Sequence, residues 1–241
     1  MLLTTLSALV ITAISFCATP TYCTPTGCHA HPATIAQLQI EQPLLTLPSN
    51  SNVSLQYVGL GVGIQNYSCS STTATPKAIG AIATVFDITD YMMQCGIAQS
   101  AELGVAYLKA YNKLACRASQ NLDVNQCQLK ANYEHLDQFG QHWFGDVAGV
   151  GVPFFSLPGR GFLSAQKVGD VPAPAGAFDG GKNGFGAVDW LFLPSDGSSR
   201  TRRFSEIYRI NTAGGAPDPN GCSSGDMVLS SKYTAQYWYY N

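Results

Sequence analysis

The densest group of polar, titratable side chains in this chain is Glu134-His135-Leu136-Asp137, followed at short range by His142 and Asp146. Imidazole and carboxylate together offer proton transfer and divalent-metal ligation near neutral pH. His142 and Asp146 can converge across a turn, so they are the candidates for acid–base or metal work. The step from His135 to His142 is too long for a shared metal on one helix or one strand. A plainer account fits the same residues and is preferred: Glu134, His135 and Asp137 form a solvated helix end, and His142 bonds backbone near a strand start. No metal site is assigned. His29-Ala30-His31 invites a copper reading, because an amino-terminal histidine ligates copper in lytic polysaccharide monooxygenases. That would need processing after Cys28 or Ala30, well beyond the apolar leader, and is set aside. No Gly-x-Ser-x-Gly elbow, His-Glu-x-x-His, phosphate loop or Cys-x-x-Cys occurs, and no cofactor is expected.

Aromatic residues suggest a different chemistry. Trp143, Trp190, Tyr208, Tyr233, Tyr237, Trp238, Tyr239 and Tyr240 gather in the later part of the chain. Strand alternation puts Tyr237 and Tyr239 on one side of a sheet and Trp238 and Tyr240 on the other. One set belongs to a core. The other, Trp238 and Tyr240 together with Trp143, is the candidate ligand surface, since a flat ring complements the apolar face of a pyranose. Packing against a helix or a second sheet accounts for both sets equally well. Asp87, Asp189 and Arg209 are charges inside apolar strands, and a buried charge calls for a partner, so an Arg209–carboxylate pair is expected. Asn211 and Thr212 are read as serving the Gly214-Gly215 corner through backbone bonds.

The elements that position these residues begin after a leader. Residues 1–16 form an apolar run long enough for a signal-peptide core and short for a membrane span. Residues 1–17 are read as that signal peptide, with cleavage after Cys17 or Thr19, although no Lys or Arg precedes Lys77. No other segment is apolar enough to cross a bilayer, so the expectation is a secreted, extracellular protein with no membrane contact after processing. The net charge is −2 and charged residues are 12% of the chain. Arg200, Arg202 and Arg203 are the one basic cluster and are read as a solvated loop, which gives no support to nucleic-acid binding. In an oxidising compartment Cys23, Cys28, Cys69, Cys95, Cys116, Cys127 and Cys222 should mostly pair. The sequons at Asn52 and Asn66 fit a secreted glycoprotein.

Residues 18–52, rich in Pro, Thr and Ser, read as an extended lead-in that a local Cys23–Cys28 bridge could tie down. Strand signals follow at 53–69 and 78–88. Ile97, Ala101, Val105, Leu108, Tyr111 and Ala115 then fall at helical spacing, with Lys109, Lys113 and Arg117 at the end the helix dipole favours. Cys95 and Cys116 at the two ends of such a helix stand about 30 Å apart, too far to bridge. Cys116–Cys127, closing a short turn, is the better pair. A weaker helix is expected over 126–138. Strand signals return at 143–144, 152–157, 162–168, 188–193, 204–212 and 227–240, separated by turns such as Pro158-Gly159 and Asp196-Gly197. The fold class is mainly β: an antiparallel sandwich or barrel, one domain over 53–241, with a helical insertion at 91–139.

Several blocks also carry a family resemblance. Gly61-Val-Gly-Ile-Gln-Asn-Tyr-Ser-Cys69, Ala83-Thr-Val-Phe-Asp87, Gly140-Gln-His-Trp-Phe-Gly145, Trp190-Leu-Phe-Leu193, Tyr208-Arg-Ile-Asn-Thr-Ala-Gly-Gly-Ala-Pro217 and Tyr233-Thr-Ala-Gln-Tyr237 occur in order. Over roughly 53–240 the chain resembles a secreted family of fungi and bacteria, domain of unknown function 3455. The resemblance implies a Cys69–Cys222 disulfide, joining the end of the first strand to the corner after Gly214-Gly215. It marks 91–139 as an insertion relative to compact bacterial members. Fungal members are sometimes labelled malate dehydrogenase. The residues give that label no support, since Asn66 stands where the last glycine of a dinucleotide loop starting at Gly61 would be. The leading expectation is a secreted, non-enzymatic β-protein that binds extracellular or cell-wall carbohydrate. The competing one is a secreted hydrolase or metal-dependent enzyme using His142 and nearby carboxylates. A third is a structural or host-interaction protein with no small ligand.

Overall fold

The alternation of small and large apolar residues after residue 52 folds as antiparallel strands. The computed structural model describes residues 34–41, 52–113 and 136–241. Its strands are β1 (Leu55–Ser68), β2 (Lys77–Asp87), β3 (Gln138–Val147), β4 (Val150–Leu157), β5 (Gly161–Ser164), β6 (Gly169–Val171), β7 (Trp190–Pro194), β8 (Glu206–Gly214) and β9 (Val228–Tyr240). They form one nine-stranded sheet in the order β5-β4-β3-β2-β1-β9-β8-β7-β6. The sheet curls into a half-barrel, and its far edges are joined. Phe162 N–H donates to Arg202 O at 3.0 Å, and Arg202 N–H donates to Phe162 O at 2.7 Å. Gln166 N–H donates to Pro194 O at 3.0 Å. These bonds give β5 partners that an open edge strand would lack. The mainly-β, antiparallel expectation holds, with one curled sheet in place of two stacked ones.

The two faces of this sheet have separate cores. Inside the curl, Ala83 and Val85 of β2, Phe155 and Leu157 of β4, Leu163 of β5, Ile207 of β8 and Tyr233, Tyr237 and Tyr239 of β9 pack together. Gly61 of β1 makes room for them, because a Cβ there would overlap the Tyr237 ring. On the outer face, Val58, Leu60, Val62, Tyr208, Ile210, Trp238 and Tyr240 are covered by Met92, Tyr107, Leu108 and Tyr111. Those four come from helix α2, Thr89–Lys113.

α2 starts earlier than the helical spacing predicts. Asp87 Oδ1 accepts the Thr89 N–H at 3.0 Å, and Thr89 Oγ1 accepts the Val58 N–H at 3.0 Å, which fixes the helix start on β1. Gly96, at φ 79° and ψ 176°, breaks the helix into two segments, so the apolar ladder visible in the sequence begins only at Ile97. The lead-in is not wholly extended: helix α1 spans Ile35–Glu41. Thr34 Oγ1 accepts from Gln37 N–H at 3.3 Å while Gln37 Oε1 accepts from Thr34 N–H at 2.6 Å, a capping box legible as Thr-x-x-Gln. Leu38 of α1 is fully buried in the outer core. Gln138 and Phe139, expected to close the helical insertion, instead begin β3, because Phe139 packs on Tyr57 and Tyr239 inside the curl. The proposed leader, Cys23–Cys28, Cys116–Cys127, the His29-Ala30-His31 group, Glu134 and His135 lie outside the described residues.

Cys69 and Cys222 are bridged, with Cα atoms 5.5 Å apart, and both are buried. Cys69 N–H also donates to Met227 O at 2.9 Å, so the bridge sits at the end of the β1–β9 ladder. Cys95 is disulfide-bonded as well. The Cys69–Cys222 loop spans 153 residues, and in the chain-entropy account closing a loop of that size contributes about 5 kcal/mol. Chemical denaturation of a Cys69→Ser/Cys222→Ser variant should show a loss of about 3–5 kcal/mol. A loss under about 1 kcal/mol would mean that the bridge does not constrain the unfolded chain.

Candidate functional site

His142 and Asp146 both lie on β3, and the strand separates them. Four residues of strand span about 13 Å. His142 points into the curl and is 2% exposed. Its Nδ1 lies 2.9 Å from the Phe154 carbonyl oxygen, to which the neutral ring donates. The ring stacks on Phe155 with centroids 4.1 Å apart. Burial pushes its pKa down to about 3, with the Arg209 charge adding to the effect and the Phe154 bond opposing it. Asp146 is exposed and accepts Gly149 N–H at 2.9 Å, closing the turn between β3 and β4. Among the described residues no three His, Cys, Asp or Glu side chains gather as a metal site.

Arg209 corrects the expected ion pair. It enters the curl from β8, 7% exposed, and its Nη2 and Nε donate to the backbone carbonyl of Asp189 at 2.9 and 3.2 Å. Nη1 donates to Gln65 Oε1 at 3.3 Å, and the guanidinium also bonds the Tyr237 hydroxyl. Asp189, just before β7, is exposed, and it offers Arg209 its carbonyl and not its carboxylate. Asp87 instead pairs with Arg160 at 3.0 Å. Tyr233 and Tyr237 share a hydroxyl–hydroxyl bond of 2.8 Å, and Tyr67 donates to Gly215 O at 2.6 Å. Burial raises the pKa of all three phenols. This interior network satisfies buried polar groups and braces the curl.

The corner residues divide. Thr212 Oγ1 donates to the Val188 carbonyl, a backbone bond as expected. Asn211 does not bond backbone. It occupies a bulge of β8 at φ 47°, and its Nδ2 donates to Gln236 Oε1 at 3.0 Å. The same oxygen accepts the Trp238 indole N–H at 3.0 Å.

The closing strand offers no surface aromatic. Trp238 and Tyr240 are 0% and 1% exposed. α2 crosses the face that carries them, and Tyr240 sits edge-on to Tyr208 at 5.4 Å. Both therefore leave the ligand surface and join the core. Trp143 is half-buried. It faces outward from β3 and meets Phe154 of β4 at 5.6 Å and Phe162 of β5 at 6.1 Å. These three rings make an aromatic strip on the outer side of β3, β4 and β5, away from the strands that α2 covers. Of the two sequons, Asn52 is exposed, while Asn66 is half-buried within β1 and accepts from Ser230 Oγ at 2.7 Å.

Beside the strip lies the basic cluster read from the sequence as a solvated loop, and Arg200, Arg202 and Arg203 are exposed as that reading expects. A groove of about 540 Å³ is lined by the β4–β5 turn, Phe162, Arg160, Arg200, Arg202 and Arg203. Arg160 is engaged, since it pairs with Asp87 and covers the rings of Tyr57 and Phe139 at 4.8 and 5.2 Å. Arg200 lies over Phe154 at 5.6 Å, and Arg203 donates to Gly159 O at 3.3 Å. The ion pairs among the described residues are Arg160–Asp87 and Lys167–Asp170, so Arg200, Arg202 and Arg203 line the groove without an ion-pair partner, although Arg200 is near enough to Asp196 to help lower its pKa. Their spacing was visible in the sequence, but the closure that brings them beside Arg160 and Phe162 was not. A second groove of about 620 Å³ runs between α2 and residues 174–178, lined by Lys109, Phe178 and Trp190 among others. The Trp190 indole N–H is buried there without a partner.

The buried, neutral His142 has a consequence for pH. Its folded pKa is depressed below the unfolded value of about 6.5, so its contribution to stability is complete above that pH and is lost as pH falls towards 3. Gln at this position can keep the donor to Phe154 O and cannot take up a proton. Against His142→Gln, the wild-type chain should lose stability more steeply from pH 6.5 to 3, by up to about 1.4 kcal/mol per pH unit. Denaturation at several pH values measures this, and parallel profiles would contradict it.

No curated protein and no solved structure matches the chain. A family model matches residues 48–241, a span that takes in all nine strands, α2 and both ends of the Cys69–Cys222 bridge. The chain belongs to the family that this model describes, Protein of unknown function (DUF3455).

Proposed function

We propose that this chain is an extracellular binding protein for carbohydrate, and that the ligand rests on the half-buried Trp143 and Phe162 rings, which the buried Phe154 ring backs. The observation that carries the reading is the half-buried Trp143, grouped with Phe162 and Phe154 on an outer strand face that α2 does not cover. Flat rings of this kind present an apolar surface to one face of a pyranose while the sugar hydroxyls stay in water. The strip stands on three hydrogen-bonded strands, so its rings are held in place before a ligand arrives. A buried disulfide and the apolar leader support an extracellular setting. Binding without turnover agrees with His142, which is neutral, enclosed and already bonded to a backbone carbonyl.

Retention on insoluble polysaccharides and a glycan array, each run with wild type and Trp143→Ala, tests this. Wild type should be retained by at least one glycan, and Trp143→Ala should bind about tenfold more weakly, matching the roughly 1.4 kcal/mol that one stacking ring supplies. The variant's thermal midpoint should stay within a few degrees of wild type. Absence of retention on every glycan, or full affinity in the variant, would remove the reading.

A further inference from the structure

We infer that the arginine groove beside the aromatic strip selects an acidic polysaccharide, with Arg200, Arg202 and Arg203 taking the carboxylate groups of uronate-type sugars. This rests on the proposed carbohydrate reading and names the ligand class for the same surface. Arg200, Arg202 and Arg203 line one groove of about 540 Å³, and none of them is ion-paired to a carboxylate. That volume is within the range of small-ligand sites, about 300–1,000 Å³. The chain as a whole carries a net charge of −2, so the positive groove is a local feature and not part of a generally basic surface. A guanidinium is a planar fork of donors that matches a carboxylate in bidentate fashion.

The loop that carries these arginines is held from several sides. Its backbone pairs with β5 through Phe162 and Arg202. Thr201 Oγ1 accepts Ser164 N–H at 3.2 Å and the Ser195 hydroxyl at 3.1 Å. Asp196 accepts from Ser164 Oγ at 2.6 Å and from Ser198 N–H at 2.8 Å. Asp196, the carboxylate nearest this loop in sequence, is bonded within the loop and feels the Arg200 charge without forming an ion pair with it.

Phe162 joins the two halves of the surface, since it lines the groove and belongs to the strip. A sugar ring against the aromatic strip can thus place a charged substituent among the arginines. Nucleic acid also offers rings and anions, but its affinity draws on a broad basic face along the phosphate backbone, and this chain carries a net charge of −2. The carboxylated glycan is the better match.

Affinity electrophoresis with polygalacturonate, fully methyl-esterified polygalacturonate, dextran sulfate and single-stranded DNA tests the inference, using wild type, Trp143→Ala and an Arg200→Gln/Arg202→Gln/Arg203→Gln variant. Wild type should bind polygalacturonate, weaken as salt rises, and bind the esterified polymer at least tenfold more weakly. The triple variant should lose at least tenfold on polygalacturonate while melting within a few degrees of wild type. Equal binding of the two pectic polymers, unchanged affinity in the triple variant, or equal or tighter binding of dextran sulfate or DNA would each overturn the inference. The arms also separate the two readings. Loss in Trp143→Ala alone removes the arginine inference and leaves the strip, whereas loss in the arginine variant alone removes the strip and leaves an anion groove.

Discussion

The ring of Tyr237 fills the space that a side chain on Gly61 would need. Much of the inner core is arranged around that contact. β1 and β9 pair along almost their whole length, with Gly59 opposite Tyr237 and Gly63 opposite Tyr233. Gly61 receives the Tyr237 ring, Gly59 makes room for Val85 and Phe139, and Gly63 lets the backbone of β2 approach at Ile82 and Ala83, which lets the sheet curl tightly. Tyr237 then reaches Phe155 at 5.2 Å and His142 at 5.5 Å on the opposite wall, and its hydroxyl meets Tyr233 and Arg209. A buried tyrosine contributes a large apolar area but needs a partner for its hydroxyl. Here Tyr233, Tyr237 and Arg209 serve one another, while the Tyr239 hydroxyl is buried without a partner.

The same pairing sets the demands on the rest of the chain. β1 and β9 lie far apart in sequence, so bringing them together costs loop-closure entropy before any contact forms. The Cys69–Cys222 bridge offsets that cost at the end of this ladder. α2 then covers the outward side of the same two strands, which converts Trp238 and Tyr240 into core residues. α2 leaves the outward side of β3, β4 and β5 uncovered, where Trp143, Phe162 and the arginine loop lie.

Much of this was legible in the residues. Alternation and turn chemistry mark most of the strands, and the Gly214-Gly215 block carries the resemblance that implies the bridge. The covered face of β9 was not legible, because alternation tells which residues share a face and not what lies upon it. The fate of Trp238 and Tyr240 depended on the path of α2 across the sheet. Arg209 was readable as a buried cation, but its acceptor is a backbone carbonyl, which every residue carries and no side-chain pattern marks. α1 did have a local signal in Thr34 and Gln37, hidden within a Pro- and Thr-rich segment. Arg200, Arg202 and Arg203 look like a solvated loop until the bonds between Phe162 and Arg202 set them beside Phe162.

The Tyr237 ring packed into the Gly61 position of β1 holds the curl together. Urea denaturation of Gly61→Ala alongside Gly104→Ala tests it most directly. A Cβ on Gly61 overlaps Tyr237, while one on Gly104 of α2 meets only ordinary contacts at 3.5 Å or more. Gly61→Ala should lose about 2 kcal/mol or more through overpacking, and Gly104→Ala should be neutral or gain up to about 1 kcal/mol from helix propensity. A Gly61→Ala chain as stable as wild type would contradict the claim.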